Sequence, residues 1–207
     1  MDLDTRPPEM RRSTIDYWVQ RCPHCGYCAA ELSKASKEAA VVAKSQAYRR
    51  QLENAEYPAL ANHFLCAALV DQAIGDYRRA AWTRVHAAWA CDDATRDGNH
   101  DASLLATNAA VKCRLQAVSE LRKINQAGQK TVGQADATHA IIVDLLRRAG
   151  RLQEAAEACR EALEMPLEGI LQAVIGYEQE LIAGSDTACH NVEEAMARRQ
   201  ASKDHRS

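Results

Sequence analysis

The sequence predicts an all-α protein, made of helical hairpins behind a short N-terminal cysteine-rich knuckle segment. Three observations carry this. Aromatic residues are only 5% of the chain, with a single Phe, whereas strands recruit aromatic and β-branched side chains. Alanine, the best helix former and small enough for close packing, recurs throughout. Apolar residues repeat at three- and four-residue spacing from Leu32 almost to the end of the chain. At 207 residues, 47% apolar and 26% charged, the chain is long enough for a real core and balanced like a globular protein.

The elements follow in order. Residues 1–13 are polar and carry Pro7-Pro8, which suits an extended or loose arm. Ile15-Asp16-Tyr17-Trp18-Val19 reads as one short strand that leads into a cysteine cluster. Leu32, Ala35, Ala39 and Val42 then mark a helical segment running to about Glu53. A helix pair over roughly 58–73 and 77–91 is joined at Gly75-Asp76. The polar stretch 92–101 separates it from a long helix with Val111, Leu115, Val118 and Leu121 on one side. A second Gly-rich polar break covers 125–134. Another pair follows at about 136–149 and 152–164, turned at Gly150 and closed by Pro166, which has no donor to continue a helix. The last apolar-faced helix carries Ile170, Leu171, Val174, Ile175, Leu181 and Ile182. Gly184-Ser185-Asp186 stops it and offers caps for a final short helix. The expected organisation is an arm and knuckle over 1–28, a helical-repeat domain over 29–183, and a C-terminal helix and tail over 184–207 that packs on the knuckle.

Shifted by 75 residues, the chain resembles itself. Gly75, Tyr77, Ala80 and Ala87 fall on Gly150, Leu152, Ala155 and Ala162. Glycine turns one helix into the next, and alanines let two antiparallel helices approach closely. The pattern resembles the second half of a tetratricopeptide repeat.

A net charge of −2 supplies no general attraction to nucleic acid or anionic lipid. No apolar run approaches the ~20 residues that span a bilayer, and the N-terminus has no signal-peptide core. The expected location is a reducing cytoplasm, where eight cysteines read as thiols or metal ligands rather than disulfides. Cys66, Cys91, Cys113 and Cys159 stand singly in helical sequence, as buried small apolar residues do.

Arg21-Cys22-Pro23-His24-Cys25-Gly26-Tyr27-Cys28 allows three readings: a metal site, a thiol–disulfide exchange site, or unmetallated thiols. Cys-Pro-His-Cys is the tetrapeptide of oxidising thioredoxin-like proteins, but these need a helix after the second Cys and several strands elsewhere. Gly26 suits a turn instead. Cys-x-x-Cys-Gly is a zinc knuckle, in which the turn aims backbone amides at the first thiolate. A closed site needs four ligands. Cys22 and Cys25 supply two, and Cys28 and His190 are the expected others. Asp186, four residues before His190, is placed to orient the imidazole. Whether Cys189 replaces Cys28 or His190 stays open.

"YWVQRCPHCGYCA", the Ala-rich "AIGDYRRAAWTRVHAAWACDD" and the later helix pair together resemble a bacterial family of unknown function. Its members carry a Cys-Pro-x-Cys-Gly-Tyr zinc knuckle followed by tetratricopeptide-like helices. The resemblance covers about residues 15–183 and implies zinc but no activity. Many relatives have a further upstream Cys-x-x-Cys pair that this chain lacks, and Cys28 stands where alanine is common.

The expected function is a zinc-stabilised helical-repeat scaffold that binds a protein or peptide, with a homo-oligomer allowed. The inner helix faces offer Asn62, Leu69 and Gln72 in one pair and Asp144, Arg147 and Arg148 in the other. Arginines there would hold a carboxylate, or simply form the cationic end of a helix. The alternative is a thiol–disulfide oxidoreductase using Cys22-Pro23-His24-Cys25. No phosphate loop, His-Glu-x-x-His or Gly-x-Ser-x-Gly motif is present. Nucleic acid is the least favoured partner, although Arg11, Arg12 and Arg21 flank Tyr17, Trp18 and Tyr27.

Overall fold

The computed structural model describes residues 1–97, 100–126, 135–167 and 169–204. The described chain is mostly helical, with one two-stranded hairpin. In order it comprises α1 (Glu9–Arg12), a 3-10 turn (Ile15–Tyr17), β1 (Gln20–Arg21), β2 (Cys28–Ala29) and a second 3-10 turn (Leu32–Lys34). Then come α2 (Lys37–Lys44), α3 (Gln46–Leu52), α4 (Ala59–Ala73), α5 (Tyr77–Asp97) and α6 (His100–Gln126). The chain continues with α7 (Ala135–Arg148), α8 (Leu152–Leu163), α9 (Gly169–Ala183) and α10 (Val192–Asp204). Two compact units result: one of Met10–Glu120, the other of Met1–Glu9 with Leu121–Ser207.

In the Met10–Glu120 unit, α4 and α5 form an antiparallel pair against which α2, α3 and β2 pack. The core is small-residue packing. Ala61, Ala68, Ala80, Ala81, Val85, Ala87 and Ala88 are essentially inaccessible around Phe64. Two ion pairs tie α5 to α6 within this unit. Arg114 reaches both oxygens of Asp92 at 2.8 and 2.6 Å, and Arg84 reaches Glu120 at 2.8 Å.

The 75-residue self-similarity is visible in backbone geometry. Gly75 and Gly150 adopt φ +82° and +71°. The amides of Gly75 and Asp76 donate to the carbonyls of Gln72 and Asp71. Those of Gly150 and Arg151 donate to Arg147 and Leu146, the same bonds shifted by 75. This is a glycine-terminated helix end, in which the left-handed residue lets orphan carbonyls find donors. Ala80, Ala87, Ala155 and Ala162 are all fully buried.

Several sequence expectations need correction. Residues 15–17 form a 3-10 turn, and the strand begins at Gln20. The burial pattern explains it: Ile15 and Val19 are buried four apart while Asp16 and Tyr17 are exposed, a helical rather than alternating period. The helical stretch to Glu53 is interrupted at Ser45. Its extended backbone ends α2, and its hydroxyl accepts from the Tyr48 amide at 3.2 Å to cap α3. The polar stretch from 92 does not break the chain until after Asp97, because α5 runs that far. The break at 125–134 lies mostly outside the described residues.

The arm is not loose. Asp2, Leu3, Asp4 and Arg6 are buried in the second unit. The Leu3 amide donates to His190 O at 3.0 Å, the Val192 amide to Met1 O at 2.9 Å, and Asp2 bridges Asn191. The apolar Leu3 and the open backbone edge of the α9–α10 connection account for this pairing.

Candidate functional site

The cysteine-rich turn is a tight hairpin. Gln20 pairs with Ala29 and Arg21 with Cys28. Inside them, the Cys22 amide donates to Tyr27 O at 2.8 Å and the Gly26 amide to Cys22 O at 2.9 Å. Gly26 holds φ +74°, which glycine adopts without a steric cost. A side chain there would also strike Leu52, since a Cβ would lie 2.7 Å from its Cδ2. The amides of Cys25 and His24 and the Cys25 thiol hydrogen-bond to the Cys22 sulfur, holding that thiol below its usual pKa. Cys22 is half-buried; Pro23, His24 and Cys25 are exposed. The turn thus aims two backbone amides at the first thiol.

Cys28 lies elsewhere. It is fully buried, and its amide donates to the Tyr48 hydroxyl at 2.8 Å. That hydroxyl donates onward to Gly26 O at 3.1 Å. The Cys28 sulfur donates to Gly26 O at 3.4 Å and hydrogen-bonds to the Cys66 thiol, the main reason its pKa falls while that of Cys66 rises. Cys66 in turn donates to Tyr48 O at 3.7 Å. Tyr48, which the sequence reading passed over, thus clamps the hairpin to the helices. A buried Tyr seldom leaves its hydroxyl unpaired, but nothing near Tyr48 in sequence names its partner.

His190 belongs to the other unit. It sits in the connection before α10, not on a helix. Its Nε2 meets Asp186 Oδ2 at 3.0 Å, the pairing anticipated from sequence, and its Nδ1 meets Glu194 Oε2 at 2.6 Å. The Tyr177 hydroxyl lies 3.2 Å from both Nδ1 and Glu194. Cys189 donates to Asp2 at 3.3 Å, and burial pushes its thiol up to about 12. Among the described residues, no three Cys, His, Asp or Glu side chains are grouped so as to hold a metal ion. The structure therefore brings Cys22 and Cys25 together, and gives Cys28 and His190 other partners.

Beside the hairpin, a cavity of about 640 Å3 opens within the Met10–Glu120 unit. Its floor is apolar, from Val19, Ala39, Phe64, Ala67, Val70 and Ile74. Trp18 and His86 form an aromatic wall, with ring centroids 5.2 Å apart at 72°. Trp18 is held by its indole N–H, which donates to Thr14 Oγ1 at 2.9 Å. Burial, and then Arg11, lower the His86 pKa to about 4, so the ring is neutral near pH 7. At the rim, Lys34 pairs with Glu31 at 2.7 Å and Arg79 with buried Asp71 at 2.6 Å. Arg11 stacks over Trp18 at 5.5 Å and has no carboxylate partner among the described residues. Trp18 packs edge-on against His86, and Tyr27 is buried.

The helix faces expected to form a groove are occupied internally. Asn62 accepts from Gln51 at 2.9 Å and donates to Asn54 O at 2.8 Å, and Gln72 accepts from Arg84 at 3.1 Å. Arg147 is fully buried. It donates to Glu178 at 2.7 Å, to Asp144 at 2.6 Å, and to the carbonyls of Asp186 and Ala188, both at 2.8 Å. Arg148 reaches Asp4 at 3.0 Å. Both arginines hold their own unit together instead of waiting for a ligand. Comparison with known protein families, curated proteins and solved structures finds no match for this chain.

Proposed function

We propose that this protein is a zinc-stabilised helical module, tetratricopeptide-like in its hairpins, that binds a protein segment in the cavity beside the knuckle. The observation that carries it is the cavity itself. An apolar floor, a fixed aromatic wall and a rim arginine with no carboxylate partner among the described residues suit an apolar side chain followed by a carboxylate. Tyr27, Cys28 and Ala29 of the hairpin line this cavity, so whatever fixes the hairpin also shapes the site. No helix among the described residues is long and apolar enough to cross a membrane, and a membrane partner is not part of this reading.

Zinc fits the donor chemistry of the turn. Cys22 and Cys25 would hold it as thiolates, and a bound zinc would supply rigidity, since metal affinity for a folded site is folding free energy. The same lowered Cys22 thiol also favours thiol–disulfide exchange, the second reading. Metal analysis separates them: a metal-free pair that turns over a disulfide substrate establishes exchange and removes the zinc. Binding is tested by selecting peptides from a random display library on the zinc-loaded protein, with Ala67→Leu as counter-screen. Filling the floor should cost selected peptides at least tenfold in affinity. Selection of only peptides indifferent to Ala67→Leu and Arg11→Ala would discard this site.

A further inference from the structure

Resting on the zinc reading above, we infer that the ion is shared between two copies of the chain, each contributing Cys22 and Cys25. A structural zinc is closed by four ligands in a tetrahedron. Each knuckle presents two, and among the described residues no third Cys, His, Asp or Glu is grouped with them. The nearest cysteine in sequence, Cys28, is engaged with Gly26 O and the Cys66 thiol in the core. Recruiting it would break the β1–β2 pairing at Arg21–Cys28 and the Tyr48 clamp. His190 uses both ring nitrogens on Asp186 and Glu194.

Geometry leaves the knuckle open to a second copy. Pro23, His24 and Cys25 form an exposed tip, while Gly26 and Tyr27 behind them are buried. A two-fold axis through the metal would relate the pairs and make the contact isologous, which is the commonest symmetry of soluble oligomers.

Charge favours the same arrangement. Four thiolates around Zn2+ leave a net charge of −2. Each hairpin carries Arg21 on β1, and the Arg49 guanidinium lies beside Gly26, 3.1 Å from where a Cβ would stand. Two copies therefore carry four arginines on or beside the hairpins that would hold a dianionic centre. A neutral or cationic ligand set would gain nothing from these arginines.

The test uses the full chain with a non-thiol reductant, native mass spectrometry and metal analysis. The expected species is two chains with one zinc. Chelator should convert it to metal-free monomer, and zinc titration should restore the dimer with an end point at half an equivalent per chain. Cys25→Ser, at an exposed position, should be monomeric and metal-free with unchanged helical circular dichroism. Cobalt substitution should show the charge-transfer intensity of four thiolates. One zinc per monomer overturns the shared site but leaves a zinc-stabilised module intact. A dimer lost to reductant but indifferent to chelator overturns it in favour of a disulfide, and a chain that takes up no zinc overturns both readings.

Discussion

Replacing Arg147 with Met should nearly unfold the unit that contains it, whereas Glu178→Gln should be almost silent. Arg147 sits between Asp144 and Glu178 with no solvent contact. Asp144 Oδ2 and Glu178 Oε1 are buried without a donor, and the two carboxyls lie within hydrogen-bonding reach of each other. Burial, followed by repulsion from Asp144, holds the Glu178 pKa well above its usual range. A protonated Glu178, the form this shift favours, would satisfy both orphan oxygens and leave one cation facing one anion. Gln at 178 copies the protonated acid: its oxygen accepts from Arg147 and its amide donates to Asp144. Its cost should stay within about 1 kcal/mol. Removing Arg147 strips a buried pair of its cation, worth about 3–5 kcal/mol. The carbonyls of Asp186 and Ala188, in a partly exposed connection, regain water and add about 1 kcal/mol. A sum of about 4–6 kcal/mol approaches the whole stability of a typical domain, about 5–15 kcal/mol.

All three tryptophans, Trp18, Trp82 and Trp89, lie in the other unit, so fluorescence would miss the event. Hydrogen exchange of α7 and α9 in graded urea reads it directly. A raised carboxyl pKa stabilises the fold below the unfolded value of about 4.3, and that contribution is lost as pH rises through the folded value. Protection of α7 and α9 should therefore decline from about pH 4.3 upward until the folded value is passed in the wild type, and Glu178→Gln should flatten the decline. A Glu178→Gln cost equal to that of Arg147→Met would mean an ionised Glu178 and would refute the protonated acid.

Three other outcomes follow from the knuckle unit. Tyr48→Phe leaves the Cys28 amide unpaired and Gly26 O with the Cys28 thiol alone, at about 1–3 kcal/mol, read as faster exchange of the Cys28 amide. Gly26→Ala should cost more than Gly75→Ala. Both force a left-handed alanine at about 1–2 kcal/mol, but only the first strikes Leu52, so the two urea midpoints compared in fluorescence should rank that way. His86 has a depressed pKa of about 4, so the neutral form stabilises this unit above the unfolded value of about 6.5. That contribution, on the order of 3 kcal/mol, is lost as pH falls from 6.5 through 4. Trp fluorescence should report acid sensitivity in this unit, opposite in sign to the α7–α9 response, and His86→Phe should remove most of it.

The sequence alone determined what local chemistry decides. Apolar spacing placed α4 to α9. Gly75 and Gly150 marked helix ends because only left-handed residues let those carbonyls find donors. Gly26 distinguished a knuckle turn from a helix start. Tertiary structure alone decided which side chains those elements spend on one another. Arg147 and Arg148 are neighbours at a helix end, and their spacing of ~100° on the helix sends one to Glu178 and Asp144 and the other to Asp4. Nothing within a turn of either residue announces partners 31 or 144 positions away. Likewise Cys28 looked like a third ligand by proximity, until Tyr48 and Cys66, 20 and 38 residues on, took it into the core. Helix ends and turns answer to their nearest neighbours; buried polar groups answer to whatever the fold brings within 3 Å, and that is written across the chain rather than along it.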